Sequence, residues 1–391
     1  MHLTLHLTAR CNLSCHYCYV IKRPEDMSID TARAAIDMAV AESNRKNQGK
    51  SLGVIFFGGE PLLCRERIVE IIHYCRDIEK RTGQLFYYKI TTNGLLLDEE
   101  FLMNPETSGV FVAISHDGVR AAHDAKRMDV SGGGSFDRLT DVIPLLLRHK
   151  PYAPALMVIT PETVRHYAES IEFLFNLGFR YLICSPDYSA AWNDGAVKEI
   201  GRQYRKIADW YYEKTMAEEK FYFSPFEVKI ASHVFPGSCR RDRCELGLRQ
   251  ISVSPDGRLF PCVQFVGDEN YVIGSVGREC RGRGLDEAAR DMLYQRNAAE
   301  KENCRECAVR ERCNHYCGCL NRQATGSIDE VAPMLCAHER TVLPIVDHLA
   351  ERLFKKRNPL FIQKHYNDLF PVLSMVEDSV ARIQLPHADS G

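Results

Sequence analysis

The chain has 391 residues, enough for two domains that each bury a core, and its 50 Lys and Arg nearly balance 52 Asp and Glu. That balance, with no long basic run, excludes a global field that would recruit nucleic acid or an anionic membrane. No apolar run approaches the roughly 20 residues of a membrane helix, and Met1 leads into an apolar strand rather than a signal peptide, so a cytoplasmic protein is expected.

A cytoplasmic chain keeps its thiols reduced, so 16 cysteines imply metal rather than disulfides. In chain order, an apolar strand over 2–7 leads to a polar loop carrying Cys11, Cys15 and Cys18 in the spacing C-x3-C-x2-C. Three thiolates on one loop suit an iron–sulfur cluster whose fourth iron has no protein ligand. Zinc or a disulfide-forming cluster is the alternative, but zinc prefers four ligands in paired C-x2-C units and no fourth lies nearby.

Helical spacing predicts a helix over 29–46 with Ser28 as N-cap. Apolar runs at 54–57, 85–91, 110–115, 155–160 and 181–185 then alternate with helical patterns at 65–81, 98–103, 136–148, 162–177 and 196–219. With the first strand these make six strand–helix units, the pattern of a parallel sheet covered by helices. The fold expected is α/β, a partial (β/α)6 TIM-type barrel. A doubly wound sheet is the alternative, although no G-x-G-x-x-G follows the first strand.

In a barrel the C-terminal strand ends face the reaction site. Strand two ends in Gly58-Gly59-Glu60-Pro61, where residues without side chains let a ligand approach the backbone and Pro61 begins the next segment. Strand three ends in Thr92-Asn93-Gly94 and strand four in Ser115-His116-Asp117-Gly118; His123-Asp124-x-x-Arg127 and a glycine run follow. Strand six ends in Ser185-Pro186-Asp187-Tyr188, which makes Asp187 the candidate catalytic base or an ordinary turn residue.

At 221–237 the helical period stops, and a connector is expected there between a barrel over 1–220 and a cysteine-rich α+β domain over 238–345, followed by a helical tail over 346–391. Cys239 and Cys244 precede a hairpin over 250–261, turning at Pro255-Asp256-Gly257, that brings Cys262 near Cys244. Cys304, Cys307, Cys313 and Cys317, spaced C-x2-C-x5-C-x3-C, and Cys336 complete eight. Eight thiols make two four-cysteine sites, for iron–sulfur clusters or zinc. Two tail helices, 342–354 and onward to 383, are expected to break near Asn358-Pro359.

The N-terminal loop, with aromatic Tyr17 before Cys18, resembles the signature of the radical S-adenosylmethionine (radical SAM) superfamily. The GGEP, TNG and S-x-D-G segments resemble its further motifs, and H-D-x-x-R resembles a stretch of its peptide-modifying members. By that resemblance Cys11, Cys15 and Cys18 hold a [4Fe–4S] cluster. Tyr17, Gly58, Gly59, Glu60, Asn93, Ser115 and Arg127 surround SAM, with GGEP at its amino group, Ser115 at its ribose and Arg127 at its carboxylate. The second half resembles the SPASM domain, which implies two auxiliary [4Fe–4S] clusters on interleaved ligands: Cys239, Cys244, Cys262 and Cys317 for the first, and Cys304, Cys307, Cys313 and Cys336 for the second. Cys319 is the alternative ligand.

The combined resemblance implies a cytoplasmic enzyme that cleaves SAM reductively and takes a hydrogen from a peptide or protein. The leading reading is a maturase that crosslinks a ribosomally made precursor peptide, thioether before carbon–carbon, fed by a flavodoxin- or ferredoxin-type donor. The stretch 260–267 is similar to that of thioether-forming maturases. The alternative is formylglycine generation in a sulfatase; those enzymes carry an Asp directly after the third auxiliary cysteine, where this chain has Val263. Outside enzymes, an iron–sulfur electron carrier or redox sensor would need neither GGEP nor a vacant iron. No winged-helix peptide-binding domain precedes Cys11, so leader recognition is expected from the barrel, the tail helices or a separate protein.

Overall fold

Alternating Leu3, Leu5 and Leu7 would bury one face of a strand, yet on β1 (His2–Thr8) every residue after His2 is buried. Strands on both sides and helices above them account for this. The computed structural model describes residues 1–45, 51–235, 237, 243–277 and 284–384. After β1 come α1 (Ile29–Arg45), β2 (Ser51–Gly58), α2 (Arg65–Thr82), β3 (Leu85–Thr92), α3 (Glu99–Met103) and β4 (Phe111–Ser115). Then follow α4 (Arg120–His123), α5 (Phe136–His149), β5 (Pro154–Ile159), α6 (Tyr167–Asn176), β6 (Tyr181–Pro186) and α7 (Asp194–Met216). The Ser28 hydroxyl accepts from Thr31 N at 3.0 Å and caps α1 as its position suggests.

The sheet runs β1 to β6 in parallel register, with Leu3 opposite Val54 and Leu5 opposite Phe56. Right-handed crossovers through helices are the ordinary way to join parallel neighbours, and here they form the α/β partial barrel. Its strand ends β2, β3 and β4 therefore open on one side, next to the loop after β1.

The expected connector over 221–237 is corrected by the structure. Residues 222–223 form β7 (Tyr222–Phe223), which extends the sheet beyond β6, and α8 (Ser224–Val234) follows. Pro225 stands in the first turn of α8, where its missing N–H costs nothing. The aromatic residues Phe221, Phe223 and Phe226 belong to the core.

The cysteine-rich half attaches to the other edge. β8 (Gln250–Val253) pairs in parallel with β1, Leu3 opposite Ile251 and Leu5 opposite Val253, and β9 (Leu259–Phe260) closes the expected hairpin. Among the described residues the sheet thus has nine strands in the order β7-β6-β5-β4-β3-β2-β1-β8-β9. A two-residue ladder, β10 (Gly274–Ser275) with β11 (Gly284–Leu285), precedes α9 (Glu287–Ala298) and α10 (Gly318–Thr325). Arg290 of α9 reaches Glu42 of α1 at 2.9 Å, a buried ion pair across the two halves.

Among the described residues the tail has three helices rather than two: α11 (Pro333–Lys355), α12 (Pro359–Tyr366) and α13 (Phe370–Gln384). Pro333 starts α11 well before the apolar period becomes clear at 342, and the break falls at Asn358, whose side chain caps α12. No helix among the described residues is long and apolar enough to cross a membrane.

Candidate active site

The loop after β1 is held by the GGEP segment. Gly59 N donates to Thr8 O at 2.8 Å and Glu60 N to Arg10 O at 2.9 Å. A Cβ on Gly58, where φ is +125°, would stand 2.3 Å from Thr8 O, and one on Gly59 would stand 2.0 Å from Arg10 O. The close approach these glycines permit is thus made by the chain's own backbone, which sets the height of the cysteine loop.

Glu60 is fully buried and its carboxylate accepts from Leu62 N at 3.0 Å, Thr92 Oγ1 at 2.8 Å and Asn93 N at 2.8 Å. Burial pushes its pKa up to about 7 although these donors oppose the shift. It ties the ends of β2 and β3 together. Asn93 in turn donates from Nδ2 to Asn12 Oδ1 at 2.7 Å, and the same nitrogen lies 3.8 Å from Cys11 Sγ. Leu13 N points at Cys11 Sγ from 3.4 Å. The Cys11 thiol is half-buried, and burial pushes it up to about 11. Cys15 lies within electrostatic range of Cys11, Cys18 and the Arg127 cation.

Arg127 is buried, not a solvated surface cation. Its Nε and Nη2 bind the Asp117 carboxylate at 2.9 and 3.3 Å, so the fork expected to receive the SAM carboxylate is engaged by the chain itself. Asp117 also accepts from the Tyr17 hydroxyl and, at 3.0 Å, from Val158 N, and the Arg127 guanidinium lies over the Tyr17 ring at 5.3 Å. Tyr17, Asp117 and Arg127 therefore lock the cysteine loop to the ends of β4 and β5. Asp117 was not singled out from the sequence; an acid in a strand-end Asp-Gly pair is the signal that could have found it.

The rest of H-D-x-x-R has a structural role. His123 Nδ1 accepts from Asp117 N at 3.3 Å and its Nε2 contacts Ser135 Oγ at 3.0 Å, while burial lowers its pKa to about 3. Asp124 Oδ1 accepts from Ser135 N and Phe136 N, both at 2.9 Å, and caps α5. Ser115 is half-buried at the end of β4 beside this network. Asp187 follows β6 as expected, but its Oδ1 accepts from Ser189 N at 3.0 Å and Ser189 Oγ at 2.6 Å, the bonds of a turn residue.

In the second half several cysteines distant in sequence lie within electrostatic range of one another. Cys244 lies within electrostatic range of Cys262 and Cys317. Cys304 is similarly near Cys307 and Cys336, and Cys313 near Cys336. Cys239 lies outside the described residues. Burial pushes the Cys244 thiol up to about 12. All the described thiols are free of disulfides, and soft thiol donors from separate segments fit iron–sulfur clusters. No three His, Cys, Asp or Glu among the described residues form a ready-made site for a single metal ion. Tyr19 lies within electrostatic range of Cys18, Cys262 and Cys319. A groove there is walled by Tyr19, Ile21, Val263 and Val266.

Residues 5–174 match the Radical SAM superfamily. The chain is 25% identical over 285 residues to the cysteine-type anaerobic sulfatase-maturating enzyme of Clostridium novyi (strain NT), covering 69% of this chain and 74% of that one. It is also 25% identical over 339 residues to the antilisterial bacteriocin subtilosin biosynthesis protein AlbA of Bacillus subtilis (strain 168), covering 81% and 66%. Among solved structures, native anSMEcpe with bound AdoMet and Cp18Cys peptide superposes with a TM-score of 0.74 at 19% identity, covering 90% of this chain and 100% of that one, a likeness of fold.

Proposed function

We propose, from the premise that residues 5–174 are a radical SAM domain, that the chain is a peptide maturase that crosslinks a ribosomally made precursor, with a Cys-to-carbon thioether favoured over a carbon–carbon bond. Cys11, Cys15 and Cys18 would hold the SAM-binding [4Fe–4S] cluster, and Glu60, Asn93 and Ser115 would line the SAM site from the ends of β2, β3 and β4. When bound, the reduced cluster and SAM supply a 5′-deoxyadenosyl radical, the chemistry of the cofactor rather than of the chain. The chain's own part is orientation. Tyr17, Asp117 and Arg127 fix the loop, Asn93 directs an N–H at the Cys11 sulfur, and the buried carboxylate of Glu60 keeps two strand ends in register. Cys244, Cys262 and Cys317 would contribute to a first auxiliary cluster and Cys304, Cys307, Cys313 and Cys336 would hold a second. A flavodoxin- or ferredoxin-type protein would deliver the electron.

The observation that carries the choice of reaction is Val263. It stands directly after Cys262 on the groove wall, and an alkyl side chain cannot take a proton from a substrate thiol or hydroxyl as formylglycine formation requires. Asp187 remains the candidate base at the end of β6, with both of its turn bonds on Oδ1. The second reading, a sulfatase maturase, is favoured by the fold shared with anSMEcpe over 90% of this chain and by the Clostridium relative. Co-expression with small Cys-rich or aromatic-rich peptides encoded beside the gene, followed by mass spectrometry, separates the two. A peptide lighter by two hydrogens per crosslink is expected; a single Cys or Ser converted to an aldehyde without a crosslink overturns the ranking.

A further inference from the structure

Cys319 belongs to none of the cysteine spacings, yet the fold buries it, at 7% exposure, among the thiols of the first auxiliary site. Its Sγ lies 3.4 Å from Cys317 Sγ, and Cys262 lies within electrostatic range. Thiolates on two different irons of one four-iron cluster stand roughly twice as far apart, because each iron directs its ligand outward from its own corner. A sulfur this close to a ligand sulfur is placed to hydrogen-bond to it, not to take an iron of its own. The local backbone keeps it there. Cys317 is the N-cap of α10, and a Cβ on the intervening Gly318 would stand 2.4 Å from Asn297 Oδ1. Asn297 also donates from Nδ2 to Tyr316 O at 2.9 Å, so the turn is pinned against α9.

We infer that Cys319 is a positioning residue of the first auxiliary cluster, donating its S–H to the Cys317 sulfur and raising the reduction potential of the cluster that sulfur holds. A hydrogen bond to a ligand sulfur withdraws negative charge and so favours the reduced cluster, which carries one charge more. The inference rests on the proposed cluster at Cys244, Cys262 and Cys317.

The test is a potentiometric titration followed by electron paramagnetic resonance on the full chain carrying C11A, C15A and C18A, so that only auxiliary clusters signal. Cys319→Ala should keep the parent's iron content and move one auxiliary potential to a more negative value. Cys319→Ser, which keeps an O–H donor, should move it back toward the parent. Loss of about four irons in Cys319→Ala would make Cys319 a ligand and overturn the inference. An unchanged potential in Cys319→Ala would overturn it too. Cys244→Ala tests the cluster separately: it should lose about four irons, and retention of all iron would overturn the cluster itself and the inference with it.

Discussion

The barrel and the cysteine-rich half build their interiors from different materials. Around β1 to β6 the buried side chains are aliphatic and aromatic, from Leu3, Leu5 and Phe56 to Ile159, Tyr167 and Phe179. Between residues 284 and 327, the buried hydrophobic residues among those described are Leu293 and the thiols Cys304 and Cys319; the others buried there include Arg290, Asn297, Lys301, His315 and Asn321. A segment with so little apolar surface to bury cannot offset its conformational entropy by packing alone. Crosslinks through metal would supply what packing does not, whereas the barrel can fold before any cluster is present.

The largest effect should come from the barrel's own thiols. Replacing Cys11, Cys15 and Cys18 by Ala should remove about four irons and all SAM cleavage while the far-ultraviolet circular dichroism stays that of the parent, because these thiols are the proposed cluster ligands and none is buried in the core. Anaerobic iron assay and 5′-deoxyadenosine release check this. In the other half the order reverses. Removing iron with a chelator should raise hydrogen exchange of residues 284–327 toward the unstructured rate and leave β1 to β6 protected. Equal protection in both halves without iron would erase the contrast.

Within the barrel, Arg127→Ala leaves the Asp117 carboxylate buried without its cation and should lower stability by about 3–5 kcal/mol in urea unfolding. Unchanged stability would return Arg127 to a minor role. The smallest effect concerns Glu60. Its carboxyl is raised from 4.5 to about 7 in the folded chain, so the folded form holds a proton that the unfolded form has lost between those values. The stabilisation is therefore full below pH 4.5 and is lost as pH rises through 7, up to about 3 kcal/mol by linkage. Glu60→Gln should flatten that slope when unfolding is compared at pH 5 and pH 8.

Much of the chemistry was legible in one dimension because its signals are local. The C-x3-C-x2-C loop, the glycines at the end of β2 and the apolar periods of the six strand–helix units each occupy a few consecutive residues, and the parallel sheet follows from them. The connector misread over 221–237 shows the limit. A proline and three phenylalanines look like a break in sequence, but burial of Phe221, Phe223 and Phe226 against the sheet makes them β7 and α8. Long-range pairings were decided by the tertiary structure alone. Arg127, ten residues from Asp117, was expected at the SAM carboxylate, but burial makes Asp117 its partner. Gly58 and Gly59 were legible as points of close approach, but not that the cysteine loop itself would be what approaches. The place of Cys319 has the same origin. Spacing identifies cysteines that recur in a pattern, whereas a thiol set against Cys317 by a helix cap and Asn297 is fixed only once α9 and α10 have packed together.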